Sequence, residues 1–273
     1  MLCFPNSKIN IGLNIVEKRS DGFHNIESIF FPVKLCDVLE TVIDESSEAG
    51  KVTFTSSGIE IPGNSNDNLC VKAYHLISKD YQMPALKIHL HKIIPIGAGL
   101  GGGSSDAAFF INLLDEFFEL NLAWGEKHHY ARQLGSDCPF FIANKSAFAF
   151  ERGDKLDFIE VNLKGCHLVL VHPGIHVSTQ LAYSLVKPEK PKVSLNELIK
   201  LPVEEWNGKI INDFEKPVMD KFPEITEVKN KLYESGAIYT SMTGSGSAVF
   251  GIFKSKPELP KFPANYFLWQ EEF

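Results

Sequence analysis

Ile93-Ile-Pro-Ile-Gly-Ala-Gly-Leu-Gly-Gly-Gly-Ser-Ser-Asp-Ala-Ala108 places five glycines within the seven positions from Gly97 to Gly103. A short apolar run leads in, and Ser-Ser-Asp opens what reads as a helix. Glycine reaches backbone angles closed to other residues and lets a ligand approach the main chain. A helix opening right after such a loop offers N–H groups without intrahelical partners and a partial positive charge. The stretch therefore predicts a nucleotide-phosphate cradle between a strand and a helix.

Gly97-Ala-Gly99-Leu-Gly-Gly102 fits the G-x-G-x-x-G spacing of dinucleotide sites. Such a site needs a second parallel strand ending in an acid roughly 20 residues on. Glu119 and Asn121 stand near that distance, but at the end of a helix and with no strand before them. A Walker-type loop needs lysine after its last glycine, and here Gly103 follows Gly102. The H-R-D and D-F-G signatures of protein kinases are absent as well.

The surroundings are those of a globular chain of 273 residues, 44% hydrophobic and 22% charged. A net charge of −7 argues against a general nucleic-acid or membrane-surface binder. Cys3, Cys36, Cys70, Cys138 and Cys166 are odd in number and form no C-x-x-C, which fits reduced thiols. MLCFPNSKIN carries no charged segment followed by an apolar one, and no apolar run is long enough to span a bilayer. The expectation is a soluble, cytoplasmic chain.

Ser7 to Val16 alternates, with Ile9, Ile11, Leu13 and Ile15 apolar and Lys8 and Asn10 on the other face, as in a half-buried strand. Arg19 to Gly22 reads as a turn into a second strand near 25–32, with further strands near 37–43 and 51–56. Asp67 is a candidate cap for a helix over 69–81. A strand over 86–94 delivers the chain to the glycine loop. Ala107, Phe110, Ile111, Leu114, Phe117 and Phe118 then follow helical spacing over 105–120. A short helix near 126–134, strands at 146–152 and 156–161, and a boundary near 163–166 follow. Beyond it lie a strand (167–172), helices near 179–186, 195–201 and 224–235, and strands at 238–242 and 248–253 around a second glycine turn, Thr243 to Ser247. Pro188 to Pro191 reads as a surface loop. This alternation indicates an α+β fold.

Pro95-Ile-Gly-Ala-Gly-Leu-Gly-Gly-Gly-Ser-Ser-Asp-Ala-Ala108 resembles the phosphate-binding motif of the GHMP small-molecule kinases. The triple glycine before Ser-Ser-Asp is similar to the branch acting on a cytidylated methylerythritol. Pro5-Asn-Ser-Lys-Ile-Asn10 resembles that branch's P-A-K-I-N, and Asp21-Gly-Phe-His24 its D-G-Y-H. Leu134-Gly-Ser-Asp-Cys-Pro-Phe-Phe141 resembles L-G-A-D-V-P-F-F, and Met242-Thr-Gly-Ser-Gly246 resembles M-S-G-S-G. The likeness spans nearly the whole chain.

The resemblance implies a two-lobed fold with the active site in the cleft between the lobes. Residues 1–162 would be a ribosomal-protein-like nucleotide-binding domain, and 163–273 a ferredoxin-like α/β domain. It implies transfer of phosphate from ATP, with Mg2+, to the 2-hydroxyl of 4-diphosphocytidyl-2-C-methyl-D-erythritol in the non-mevalonate isoprenoid pathway. The alternative acceptor is another small alcohol, such as homoserine or mevalonate. No nucleic-acid or membrane partner is implied, and a monomer or homodimer fits.

By the same resemblance, Asp137 takes the proton of the substrate hydroxyl, and Lys8 beside it keeps that carboxylate ionised and stabilises developing charge. On residues alone, Asp137 before Pro139 also reads as a helix cap, and Lys8 as a solvated strand lysine. Pro95, Gly97, Ala98, Gly99, Leu100, Gly101, Gly102, Gly103, Ser104 and Ser105 would hold the phosphates, with Asn68 and Leu69 at the adenosine end. Asn68 is equally a helix-start residue. Asn10, Phe23, His24, Thr179, Tyr183 and Gly244 would form the acceptor side. There Phe23 and Tyr183 bracket the cytosine and His24 reads it. Phe23 stands where the family has tyrosine, keeping the ring face without the hydroxyl. Ser104 or Ser105 offers a hydroxyl to magnesium, but no carboxylate ligand is evident. His89-x-His91 and His128-His129 read as surface histidines.

Overall fold

The computed structural model describes residues 1–273. A two-residue strand, β1 (Leu2–Cys3), precedes two long ones, β2 (Asn6–Lys18) and β3 (His24–Cys36), and then β4 (Val38–Ile43) and β5 (Val52–Gly58). Helix α1 (Leu69–Ile77) and strand β6 (Leu86–Lys92) lead to the glycine loop, and α2 (Gly102–Phe118), α3 (Trp124–Leu134) and α4 (Cys138–Ala143) follow it. Then come β7 (Ala147–Glu151), β8 (Lys155–Phe158), β9 (His167–His172), α5 (Thr179–Leu185) and α6 (Leu195–Leu198). The chain ends with α7 (Glu215–Lys221), α8 (Pro223–Glu234), β10 (Tyr239–Met242), β11 (Val249–Phe253) and β12 (Phe267–Glu272).

The chain forms two compact units that interleave along the sequence. One comprises Met1–Ser7, Val33–Ile96 and Gly101–Lys145; the other comprises Lys8–Pro32, Gly97–Leu100 and Ser146–Phe273. In the first, a sheet of order β1-β4-β6-β5 accompanies helices α1 to α4. Strand β6 alternates as its sequence dictates, with Leu86, Ile88 and Leu90 buried and Lys87 and His91 exposed. Helix α2 buries Ala107, Phe110, Ile111 and Leu114 and packs on α1, α3 and α4.

The second unit carries the sheets β2-β3-β7-β8 and β10-β11-β9-β12. In the latter, β9 pairs antiparallel with β11 on one side and β12 on the other. The four residues Leu168 to Val171 are buried, as a strand covered on both faces requires. The core of this unit joins Leu13, Ile15 and Ile26 to Val169, Val171, Phe214, Val228, Leu232 and Val249.

Three local expectations change. Strand β2 is buried from Asn6 to Ile15 on both faces, where alternation suggested one wet face. Asp67 does not cap α1: it lies in a 3₁₀ turn (Ser65–Asp67), and the Asn68 side chain accepts the Cys70 N–H at 2.9 Å instead. Helix α2 starts at Gly102 and not Ser105, because Gly101 in the left-handed region supplies the turn into it. Helices α4 and α7 and strands β1 and β12 are additions.

Candidate active site

Gly97 to Leu100 is shaped by a second glycine turn. Thr243 Oγ1 donates to the Gly99 carbonyl at 3.2 Å, and the Ala248 N–H donates to the Ala98 carbonyl at 3.3 Å. Gly99 has φ +85°, and a Cβ there would run into the Thr243 carbonyl. A Cβ on Gly246 would likewise run into Ala98 and Gly99. Gly244 stands at φ +58° beside the Gly99 carbonyl and Asn10. The two turns interlock through absent side chains.

Lys8 and Asn10 lie against this pair of turns. Period two puts both on one face of β2, and that face is covered: Lys8 is 3% exposed and Asn10 1%. Lys8 is thus no solvated strand lysine. Its Nζ donates to Asn10 Oδ1 at 2.5 Å and to the Gly99 carbonyl at 3.1 Å, and lies 5.0 Å from the Phe30 ring centre. Asn10 donates to Ser28 Oγ at 2.8 Å through its side chain and to Thr243 Oγ1 at 3.0 Å through its backbone. An ammonium group is thereby fixed at the carbonyl of a glycine in the glycine-rich loop.

The loop's second half opens α2. No side chain caps this 17-residue helix, so its first-turn N–H groups are left without a capping side chain, as an anion site requires. Gly103 is exposed, and the only atom near the position of its missing Cβ is Leu69 Cδ1, at 4.0 Å. Protein packing does not demand glycine there. Leu69 is the first residue of α1, and Asn68 is its cap. Pro95 and Ser105 are buried, while Ser104 is half-buried and hydrogen-bonds with the Cys138 thiol. Asp137 occupies the position before α4 (with Pro139 in the first turn), yet its carboxylate makes no capping bond to that helix. The cap reading therefore does not account for it.

Of the residues expected on the acceptor side, the His24 ring stacks on Tyr183, with centroids 4.7 Å apart, and Tyr183 meets Phe214 edge-on at 4.9 Å. Burial, with a contribution from Lys18, lowers the pKa of His24 below the ordinary histidine value. Phe23 is 51% exposed, and the Arg152 guanidinium lies over its ring, 3.7 Å from the centre. Thr179 Oγ1 accepts from Ser245 Oγ at 3.1 Å, linking the start of α5 to the second glycine turn. His89 and His91 engage Thr55 and Ser57 across β5 at 2.8–2.9 Å. No group of three His, Cys, Asp or Glu side chains is placed to hold a metal ion.

Known proteins resemble this chain in sequence and fold. Residues 68–145 match the model of the GHMP kinases N terminal domain, and 195–264 that of the GHMP kinases C terminal. The chain is 50% identical over 262 residues to 4-diphosphocytidyl-2-C-methyl-D-erythritol kinase of Bacteroides fragilis, covering 96% of this chain and 95% of that one. The Cytophaga hutchinsonii enzyme of the same name is 48% identical, with 94% of each chain covered. A crystal structure of 4-(cytidine 5'-diphospho)-2C-methyl-D-erythritol kinase superposes with TM-score 0.78 at 30% identity, covering 93% of this chain and 91% of that one. The chain belongs to the 4-diphosphocytidyl-2-C-methyl-D-erythritol kinase branch of the GHMP kinases. Mevalonate kinase of Methanococcus jannaschii shares the fold at TM-score 0.70 and 14% identity, covering 100% and 98% of the two chains.

This GHMP kinase also places residues that its motifs did not flag. Asn212, 2% exposed, donates to the carbonyls of Met242 and Gly244 at 2.8 Å each and so holds the second glycine turn. Arg152 covers Phe23. Lys92, Asp37 and Asp106 form a buried ionic group at the strand end before the loop. Lys92 had a legible signal, since it stands at the apolar phase of Leu86, Ile88 and Leu90. Asn212 had none. No helix of this kinase is long and apolar enough to cross a membrane.

Proposed function

We propose that this kinase moves the γ-phosphoryl group of ATP to the 2-hydroxyl of 4-diphosphocytidyl-2-C-methyl-D-erythritol, in the cytoplasm. The observation that carries the acceptor's identity is the planar platform of His24 on Tyr183 beside the exposed Phe23 ring. A nucleobase needs such faces, and a small alcohol without a base does not.

In this reading Asp137 accepts the proton of the attacking hydroxyl, and the Lys8 ammonium stabilises charge developing on the transferring oxygens. Lys8 is suited to that task because Asn10 and the Gly99 carbonyl already hold its Nζ in place, so little reorganisation remains. The N–H groups of Gly101 to Ser104 receive the phosphates, with Leu69 and Asn68 toward the adenosine. Magnesium, when bound, would neutralise phosphate charge, and Ser104 or Ser105 would offer it a hydroxyl. The donor set fits an ion carried by the nucleotide and water: there is no acidic cage, but Ser105 Oγ is buried without a hydrogen-bond partner and Ser104 is adjacent.

The test is ADP release from purified protein with ATP and magnesium across candidate alcohols. The cytidylated methylerythritol should support turnover, while homoserine and mevalonate should not. Turnover on homoserine alone would overturn the acceptor assignment.

A further inference from the structure

Lys92 immediately precedes the phosphate loop, where a phosphate-seeking cation is the obvious reading. Its surroundings say otherwise. Lys92 Nζ donates to Asp37 Oδ2 at 2.5 Å and to Asp106 Oδ2 at 2.6 Å, and the three side chains are 4%, 0% and 4% exposed. Asp37, between β3 and β4, also accepts the N–H groups of Ile93 at 2.5 Å and Ile94 at 2.9 Å on its other oxygen. Asp106 sits in α2, four residues past Gly102. The missing side chain of Gly102 makes the room, because a Cβ there would lie 2.9 Å from both Lys92 Nζ and Ile94 Cγ2. One ammonium thus ties the strand that enters the loop to the helix that leaves it, and one carboxylate fastens the two residues between.

We propose that Asp37, Lys92 and Asp106 are positioning residues for ATP: a buried ionic brace behind the phosphate loop, in which Lys92 is not a phosphate ligand. The claim rests on the reading of this loop as the ATP site. Its physical basis is charge accounting. Buried charge is tolerated only when paired, and removing one member leaves the others uncompensated. For Lys92 to turn toward a phosphate, it would abandon two buried carboxylates at once. Burial disfavours the Lys92 ammonium, yet Asp106 and Asp37 outweigh it and hold its pKa above the ordinary value. Asp106 is held above the ordinary carboxylate value. Burial foremost, and then repulsion from Asp37, raise its pKa against the pull of Lys92, and its Oδ1 is buried with no hydrogen-bond partner.

Four proteins decide the matter: wild type, Lys92→Met, Asp106→Asn and the double variant Lys92→Met/Asp106→Asn. Each is measured for the Kd of a fluorescent ATP analogue, for kcat, and for hydrogen exchange at the Ile93 and Ile94 amides. Lys92→Met should weaken ATP at least ~10-fold and speed exchange at both amides, since two carboxylates are left unpaired. The double variant restores the triad's net charge of one carboxylate, and should recover ATP affinity to within about 3-fold of wild type. A double variant as weak as Lys92→Met, with normal exchange, makes Lys92 a phosphate ligand and overturns the brace. Faster exchange with unchanged ATP affinity would reduce the group to a structural pair and overturn the positioning claim. If Lys92→Met does not fold, the double variant still discriminates: recovered affinity supports the brace, and lost affinity with normal exchange overturns it. Wild type that binds no ATP would defeat the functional reading instead, while the exchange data would still report on the brace.

Discussion

The imidazole of His24 lies on the ring of Tyr183, with centroids 4.7 Å apart and planes 25° from parallel. Phe214 packs edge-on against the tyrosine, so the ring is held on one side by Phe214 and covered on another by the histidine. A cytosine stacking here must either replace the imidazole or extend the stack. Aromatic stacking contributes about 0.5–1.5 kcal/mol beyond burial. Tyr183→Ala should therefore raise KM for the cytidylated substrate by ~2–10-fold, with KM for ATP unmoved. Tyr183→Phe keeps the face and should behave as wild type; an equal loss in both variants would assign the effect to the hydroxyl.

The depressed pKa of His24 gives a pH test. Its folded-state value lies below the ordinary 6.5, first through burial and then through Lys18. A group lowered in this way contributes stability above its unfolded pKa and loses it as pH falls through the folded one. The neutral ring should therefore persist below the usual histidine range. KM for the cytidylated substrate should stay level down to about pH 6.5 and climb only at lower pH. A transition centred above that value would place the titrating group elsewhere.

Asp137 and Lys8 should fail differently. Asp137→Ala should lower kcat at least ~10²-fold while leaving the Kd for ATP nearly unchanged. Lys8 is buried and bonded to Asn10 and Gly99. Lys8→Met should lower kcat and also Tm, because it leaves two buried acceptors without their charged donor. A near-normal kcat in Asp137→Ala would remove that residue from its role.

Two glycines of one loop should respond in opposite ways to alanine. Gly103→Ala meets only Leu69 Cδ1, at an ordinary contact distance of 4.0 Å, so stability should hold while KM for ATP rises. Gly99→Ala combines φ +85° with a clash on the Thr243 carbonyl, and it should cost about 2 kcal/mol of stability or more. Urea denaturation and ATP titration of the pair separate the two kinds of glycine.

Asp106 gives the reverse pH sign to His24. Its pKa is pushed up to about 7, mainly by burial, from an ordinary 3.8. A raised group contributes stability that is complete below its unfolded pKa and lost as pH rises through the folded one. Asp106→Asn should remove that decline, so its stability relative to wild type should improve between pH 4 and pH 7. Urea midpoints across that range provide the check, and parallel curves would contradict the assignment.

Much of this was legible in the letters. Strand β9 falls on His167–His172 as its apolar run required, and the glycine-rich stretch opens a helix. Legibility failed where long-range contacts decided. Strand β2 alternates as though half wet, yet the glycine turns cover its polar face, and only the fold reveals Lys8 as buried. Helix α4 hid behind the short Cys138–Ala143 segment, too brief for periodicity to register. The part played by Asn212 depends on two carbonyls 30 and 32 positions away, which no local pattern encodes. Polar residues at apolar phases, such as Lys92 on β6, were the signal left unread.

The interlock of Gly99 with Thr243 and Gly246 has a temporal side. The glycine-rich stretch ends at Ala108, and the residues that shape its first half, Thr243 to Ala248, follow more than a hundred positions later. Its first half cannot take its shape until Thr243 to Ala248 arrive to receive it. A fragment ending before Thr243 would carry every letter of the loop without the partner that shapes it. Such a fragment should therefore bind ATP more weakly than the whole chain.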